Sequence, residues 1–193
     1  MLLNAPGPAS AWIQRWSHLV PAGGTVLDVT CGSGRHMAWI HSRGHAVTGI
    51  DCDAPALQTA AAFGSTLPAD IEAGPWPLPG RSFGAVVFTH YLWRPLLPTL
   101  AASVARGGVL LYETFARGQA RGQGQARGQE TIGRPSRPDF LLRPEELPEA
   151  AQGLRVVAYE DGFASGPDRF VQRIAAVRET PATTPIRHAL ADG

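Results

Sequence analysis

The chain has 193 residues, 44% of them hydrophobic and 17% charged, with a formal net charge of +1. That size suits one domain with a sizeable core, and the balanced charge gives no global case for nucleic-acid or membrane binding. All 17 basic residues are arginine, so a Walker A phosphate loop, a lysine Schiff base and the Tyr-x-x-x-Lys pair of short-chain dehydrogenases are excluded.

The first residues, MLLNAPGPASAWIQRW, hold no basic stretch ahead of an apolar one, and no apolar run approaches the ~18 residues of a membrane helix. A cytoplasmic chain without signal peptide or span is expected. Residues 1–8 read as mobile. Ser10 is placed to cap a helix from Ala11 to Val20, whose Trp12, Ile13, Trp16 and Leu19 share one apolar face. That face is expected to cover the sheet edge or roof the ligand cleft.

Residues 25–53, TVLDVTCGSGRHMAWIHSRGHAVTGIDCD, carry the densest signal. Thr25 to Val29 reads as a buried parallel strand with Asp28 near its carboxyl end. Gly32 and Gly34 allow a sharp turn and a close backbone approach. Arg35 to Arg43 reads as a helix, with Met37, Ala38, Ile40 and His41 expected to face the sheet, and its N-terminal N–H groups favour an anion. His45 to Ile50 is the second strand, closed by Asp51, an acid placed to accept hydrogen bonds from ribose hydroxyls. Strand, glycine turn, helix, strand and acid together point to a nucleoside-type ligand. Met37 stands where the dinucleotide fingerprint needs a third glycine, which argues against NAD and FAD.

Further along, Pro55 suits the first turn of a helix to about Phe63. Ser65 to Ala69 reads as a third strand ending in Asp70-Ile71-Glu72, with a turn cap as the alternative role of Asp70. GPWPLPGRS (74–82) is a loop. Ala85 to Thr89 is the fourth strand, and it delivers Thr89-His90-Tyr91 at its end. A helix from Pro95 to Ala105, stopped by Arg106-Gly107-Gly108, leads into a fifth strand from Val109 to Thr114. The only cysteines, Cys31 and Cys52, sit at the ends of neighbouring strands. Neither has a visible activating partner, and no Cys/His spacing matches a metal site.

ARGQARGQGQARGQE (116–130) is a near-repeat of Ala-Arg-Gly-Gln, expected to be a flexible loop. Its three arginines would release few counterions, so tight RNA binding by this loop is not expected. A short helix from Pro144 to about Ala151 and an antiparallel pair, Leu154 to Glu160 with Arg169 to Arg178, complete the sequence of elements. Residues 179–193 read as a disordered tail after a single domain over 1–178.

The motif VLDVTCGSGRHMAWI…GHAVTGIDCD resembles motif I and the acidic strand end of class I S-adenosylmethionine-dependent methyltransferases, with Thr30 where the first motif glycine usually stands. With YETF, GRPSRPDFLLRPEEL (133–147) and LRVVAYEDG, the chain is similar from about residue 10 to 178 to small bacterial members near the tellurite-resistance type. The resemblance implies a Rossmann-like α/β fold: a seven-stranded, mostly parallel sheet with one antiparallel strand and helices on both faces. It implies S-adenosyl-L-methionine as cofactor, with the backbone around Thr30 to Gly32 cradling its methionine part, Asp51 binding its ribose, Asp70 taking the adenine amino group and Ile71 packing on the adenine ring. Arg35 is placed to meet the cofactor carboxylate, and Asp28, Cys31, Gly34, Cys52 and Thr89 complete the expected cofactor-binding set.

Methyl transfer is an in-line displacement in which positioning does most of the work, so a dedicated base is optional. His90 is the first candidate, because its ordinary pKa suits proton removal near neutrality and the methyl points to this strand end in such folds. Tyr91 and Arg94 are candidates for shaping the acceptor pocket, and Glu113 for orienting an acceptor or holding Arg94. The Asn-Pro-Pro-Tyr segment of amino-group DNA and protein methyltransferases is missing. The expected acceptor is a small molecule, with neither nucleic acid nor membrane as partner. The alternatives are a binding protein of the same fold without turnover, or an RNA methyltransferase guided by the arginine repeat.

Overall fold

In the computed structural model, residues 6–118, 135, 137–165, 167–181 and 186–190 are described. The run Val26–Val29 is buried at all four positions, which fits it for the middle of a sheet covered on both faces. As β1 it pairs in parallel with β2 (Val47–Asp51) on one side and β4 (Phe83–Thr89) on the other. β3 (Ser65–Pro68) extends the sheet beyond β2, and β5 (Val104–Phe115) beyond β4. β7 (Arg169–Val177) then runs antiparallel to both β5 and β6 (Arg155–Ala164). The order β3-β2-β1-β4-β5-β7-β6 is the expected seven-stranded sheet with one reversed strand. Strand order turns round between β1 and β4, and the crevice at their carboxyl ends is where such sheets bind ligands.

Helices cover both faces. On one, α1 (Ala11–Trp16), α2 (Arg35–Ser42) and α3 (Ala54–Ala60) bury Trp12, Trp16, Met37, Ile40 and Leu57 against Val87, Leu111 and Ala175. On the other, α4 (Leu97–Ala102) and α5 (Glu146–Ala150) bury Leu97, Leu100 and Leu147 against Phe88, Leu110 and Ile174.

Ser10 caps α1 as expected, its hydroxyl accepting from the Ile13 N–H at 3.1 Å, but the α-helix ends at Trp16 and a 3₁₀ turn follows to Leu19. Of the two placements expected for α1, it takes the one toward the sheet edge: its Trp12 indole donates to the Ile174 carbonyl on β7 at 3.2 Å, and Arg15 pairs with Glu160 on the edge strand β6 at 3.5 Å. The preceding Pro6 and Gly7 reach the cleft instead. On α2 it is His36, not His41, that is buried with Met37 and Ile40.

The largest difference from expectation lies at Arg106-Gly107-Gly108. These residues stop no helix; they are part of β5. The Gly107 N–H donates to the Arg178 carbonyl and the Arg178 N–H to that of Gly108, while the Arg178 guanidinium donates to the Ala101 and Val104 carbonyls at 2.8 Å, tying off the end of α4. A Cβ on Gly108 would stand 2.8 Å from the Gly84 carbonyl oxygen, and one on Gly84 3.0 Å from the Gly24 Cα. Backbones crowd here, so a side chain in place of Gly84 has no room, and the strand begins two residues earlier than expected, at Phe83.

At the C-terminal side, α5 starts only at Glu146 because Glu145 adopts a left-handed conformation, φ +62°. The His18 imidazole meets the Ala189 carbonyl at 3.1 Å. The Ala-Arg-Gly-Gln repeat from residue 119 onward, and residues 182–185 and 191–193 of the expected tail, lie outside the described residues. Among the described residues, no helix is long and apolar enough to cross a membrane.

Candidate active site

The cleft at the switch point has two adjoining lobes. The first, about 480 Å³, is lined by residues that include Gly7, Gly32, Arg35 and His36. The second, about 290 Å³, lies among Asp51, Cys52, Asp70, Ile71 and Tyr91. Thr30, Thr89 and His90 border both, so a ligand can run from one lobe into the other.

The loop leaving β1 is shaped by left-handed residues: Thr30 at φ +56°, Gly32 at +53° and Gly34 at +84°. Gly32 faces open space, whereas a Cβ on Gly34 would come within 2.9 Å of the Ala60 Cα. Gly34 therefore serves helix packing, and Gly32 keeps the floor of the first lobe open. Thr30 is a β-branched residue where a glycine would be unstrained, a geometry costing roughly 1–2 kcal/mol. Thr30→Gly is expected to raise stability by about 1 kcal/mol after the entropy of the added glycine is counted. A urea midpoint equal to or below that of the parent chain would contradict this.

Asp51 is set before any ligand arrives. Its Oδ2 accepts from the Gly32 N–H at 2.8 Å and its Oδ1 from the Asp53 N–H at 2.9 Å, leaving one lone pair on each oxygen. Asp70 acts as the turn cap. Its Oδ1 accepts from the Glu72 and Ala73 N–H groups, bonds that hold its carboxyl below the usual range, and the residue also lines the second lobe. Ile71 and Cys52 lie beside it.

Asp28 is different. It is 2% exposed, and neither of its carboxyl oxygens has a hydrogen-bond partner among the described residues. Burial pushes its pKa up to about 8, with nearby Arg35 opposing and Asp51 reinforcing the shift. A buried orphan acid of this kind calls for an explanation. Cys31 borders the first lobe as a buried free thiol, held protonated because burial, Asp28 and Asp51 raise its pKa to about 12.

His90 sits at the centre. Its backbone is left-handed, φ +56°, and its N–H donates to the Glu113 carbonyl at 2.9 Å. Its ring stacks on Phe115 at 5.4 Å between centroids. Arg35 Nη2 donates to His90 Nδ1 at 2.9 Å, so that nitrogen is the unprotonated one and Nε2 carries the hydrogen. Nε2 faces Glu113 Oε1 at 3.7 Å. Glu113, 2% exposed, accepts from Arg173 at 3.0 Å, and Arg173 also binds Glu160 at 3.0 Å. Burial lowers the His90 pKa from its ordinary value; Glu113 opposes this, and Arg35, Arg169 and Arg173 add to it. A strained residue at a strand end, with Nδ1 hydrogen-bonded to Arg35 and Nε2 facing a buried carboxylate, is a functional candidate on its own geometry.

Other candidates are placed differently from expectation. Tyr91 lines the second lobe, and its hydroxyl donates to Glu72. Burial and that bond raise its pKa, so it is a poor base. Arg94 borders neither lobe. It grips Glu146 at 2.6 and 3.0 Å and the Leu141 carbonyl, which leaves Glu113 to Arg173 and His90. His36, which sequence reasoning left aside, lines the first lobe, with Nδ1 3.4 Å from the Thr89 hydroxyl. Burial, with Arg35 and His90, lowers its pKa to about 3, so it is neutral. Its place in the first turn of α2, directly after the glycine loop, is the signal that could have found it.

Comparison with known proteins follows the same lines. Residues 26–108 match a family model described as a methyltransferase domain. A sequence search of curated proteins finds no significant match. Among solved structures, the chain is similar to TehB from Haemophilus influenzae, with TM-score 0.64 and 18% identity, over 84% of this chain and 60% of that one. It thus spans somewhat less than two thirds of that protein's length. It is also similar to a TehB-like SAM-dependent methyltransferase from Corynebacterium glutamicum (TM-score 0.61, 16% identity, 91% of each chain). A third similar structure is an S-adenosylmethionine-dependent methyltransferase from Mesorhizobium loti (TM-score 0.64, 18% identity, 87% of this chain and 98% of that one).

Proposed function

Because residues 26–108 form a methyltransferase domain within a sheet of the class I S-adenosylmethionine-dependent fold, we propose that the chain binds S-adenosylmethionine in the two-lobed cleft and passes its methyl group to a small-molecule acceptor. That domain family uses S-adenosylmethionine. The observation that carries the proposal for this chain is the pairing of two acids across one loop. Asp51 is pre-set by the Gly32 N–H, and Asp28 is buried beneath the loop without a partner.

Each residue then has a task. Asp51 accepts two hydrogen bonds from the ribose hydroxyls with its remaining lone pairs. Asp70 offers its free oxygen to the adenine amino group, and Ile71 packs on the ring. Asp28 answers the α-ammonium, the charge that compensates a buried carboxylate. Arg35, at the N-terminus of α2, takes the carboxylate by charge-assisted hydrogen bonds.

The bound cofactor supplies a methyl group on a positively charged sulfur. With Arg35 on the cofactor carboxylate, His90 Nδ1 would be free to accept the acceptor's proton while the bond from methyl carbon to acceptor forms, the bond from methyl carbon to sulfur breaks and a neutral thioether is left; Glu113 would steady the imidazolium. Thr30, Thr89 and His90 bound the meeting point of the lobes.

One observation favours a second reading, a cofactor-binding protein without turnover: the same Arg35 bond occupies the nitrogen a base would use. Incubating the protein with methyl-labelled S-adenosylmethionine and a small-molecule extract separates the two. The enzyme reading predicts label transfer that falls roughly 10²-fold or more in His90→Gln. Cofactor binding with no label leaving it would establish the binder.

A further inference from the structure

Past His90, on the sheet face that carries α1 and α2, the strand register sets two arginines opposite each other, and neither forms an ion pair among the described residues. β5 and β7 pair with Glu113 opposite Arg173 and Phe115 opposite Val171, and the Ala116 N–H donates to the Phe170 carbonyl at 2.9 Å. Carrying that register one alternation further sets Arg117 opposite Arg169, on the same face as Glu113, Phe115 and Arg173. Among the described residues, both guanidinium groups have a buried Nε without an acceptor, and the Arg117 side chain meets a neutral acceptor, the Pro138 carbonyl at 3.2 Å. The Arg169 side chain has no hydrogen-bond or ion-pair partner among the described residues.

This departs from the practice of neighbouring positions. Arg173, two residues along the same face, is bound by two carboxylates, and Arg94 by Glu146. Like charges directly opposite on paired strands are destabilising, and a buried donor left unbonded costs more than an ordinary hydrogen bond contributes. An arrangement that carries both costs makes sense if a ligand removes both. A carboxylate or phosphate set between the two guanidinium groups would accept from their N–H groups and cancel the repulsion.

We propose that Arg117 and Arg169 form the anion subsite of the methyl acceptor, so that the acceptor is a small molecule carrying a carboxylate or phosphate group. This rests on the methyl-transfer reading of the His90 side of the cleft. The subsite borders Phe115, the ring stacked on His90. It lies one strand alternation, about 7 Å, beyond that ring, which leaves a short carbon skeleton between the anion and the reacting atom. Arg169 is also one of the cations that depress the His90 pKa, with Arg35 and Arg173 and against Glu113. An anion on Arg169 would make His90 more basic as the acceptor arrives.

The test uses the full chain, with and without S-adenosylhomocysteine, in thermal melts with inorganic phosphate or benzoate, and sodium chloride at equal ionic strength as reference. At least one of the two anions is expected to raise the Tm of the parent chain beyond chloride. Arg169→Gln and Arg117→Gln should need about tenfold more of that anion or higher for the same rise, and Arg169→Lys should fall between. In chloride alone at low ionic strength, Arg169→Gln should melt no lower than the parent, because a like charge has gone. Unchanged S-adenosylhomocysteine affinity by calorimetry certifies that each variant is folded. A phosphate response assigns a phosphorylated acceptor, and a benzoate response a carboxylate. Neither anion exceeding chloride, or equal responses in parent and variants, overturns the proposal. Failure of S-adenosylhomocysteine to bind the parent chain would refute the cofactor reading instead, while the anion titration still decides the subsite.

Discussion

Asp28→Asn makes the ligand-free protein more stable, and the gain grows with pH. Folded Asp28 keeps its proton up to about pH 8, whereas the ordinary carboxyl of the unfolded chain releases it near 3.8. Between those values the native state binds the extra proton, so the parent chain loses stability as pH rises through that window. At ~1.4 kcal/mol per pH unit the loss at pH 7 is on the order of 4 kcal/mol. Asparagine has nearly the same shape and no charge to remove. The variant and the parent should therefore coincide near pH 4 and diverge steadily up to pH 8 in chemical denaturation. The same change should weaken S-adenosylhomocysteine binding roughly tenfold to a hundredfold, by removing the partner of the α-ammonium. Parallel stability curves for the two proteins would show that Asp28 is an ordinary ionised carboxylate in the fold. Stability and binding moving in opposite directions is the mark of a group held strained for a ligand.

Asp51→Ala carries the second large effect. Two hydrogen bonds from neutral hydroxyls to one carboxylate are worth ~1.5–3 kcal/mol each, so cofactor affinity should fall by about 10²-fold or more. The Gly32 and Asp53 N–H groups also lose their acceptor. Part of the loss is therefore loop order, and it should appear as faster hydrogen exchange at Gly32 and Asp53. Calorimetry with S-adenosylhomocysteine measures the affinity, and a change of less than threefold would remove Asp51 from the ribose site.

The half of the site built from near neighbours was legible in the amino-acid sequence. β1, the glycine turn, α2 and Asp51 follow one another within 25–53, where strand period, helix period and turn residues are all local. Asp70 was legible for the same reason, as an acid ending a short strand. On the His90 side the strand-end residues His90 and Glu113 were legible as candidates, but the partners that hold them were not. Arg35 and His90 are 55 residues apart and Glu113 and Arg173 are 60 apart; only the β1–β4 and β5–β7 pairings bring them together. Arg94 illustrates the converse. It follows His90 closely in sequence, yet its guanidinium turns away to the buried Glu146. The Arg106-Gly107-Gly108 segment reads locally as a helix stop, and only the partner residue Arg178, far along the chain, makes it strand. Thr30 in a left-handed conformation breaks the local rule outright, and it does so beside His90, which breaks it too. Such violations cluster where a fold serves a ligand.

The measurement closest to the central claim is isothermal titration of the full chain with S-adenosylmethionine and, separately, S-adenosylhomocysteine. Both should bind one site per chain with micromolar-range affinity, about the range of working cofactor sites. Absence of binding for both, with the protein folded by circular dichroism, would contradict the account.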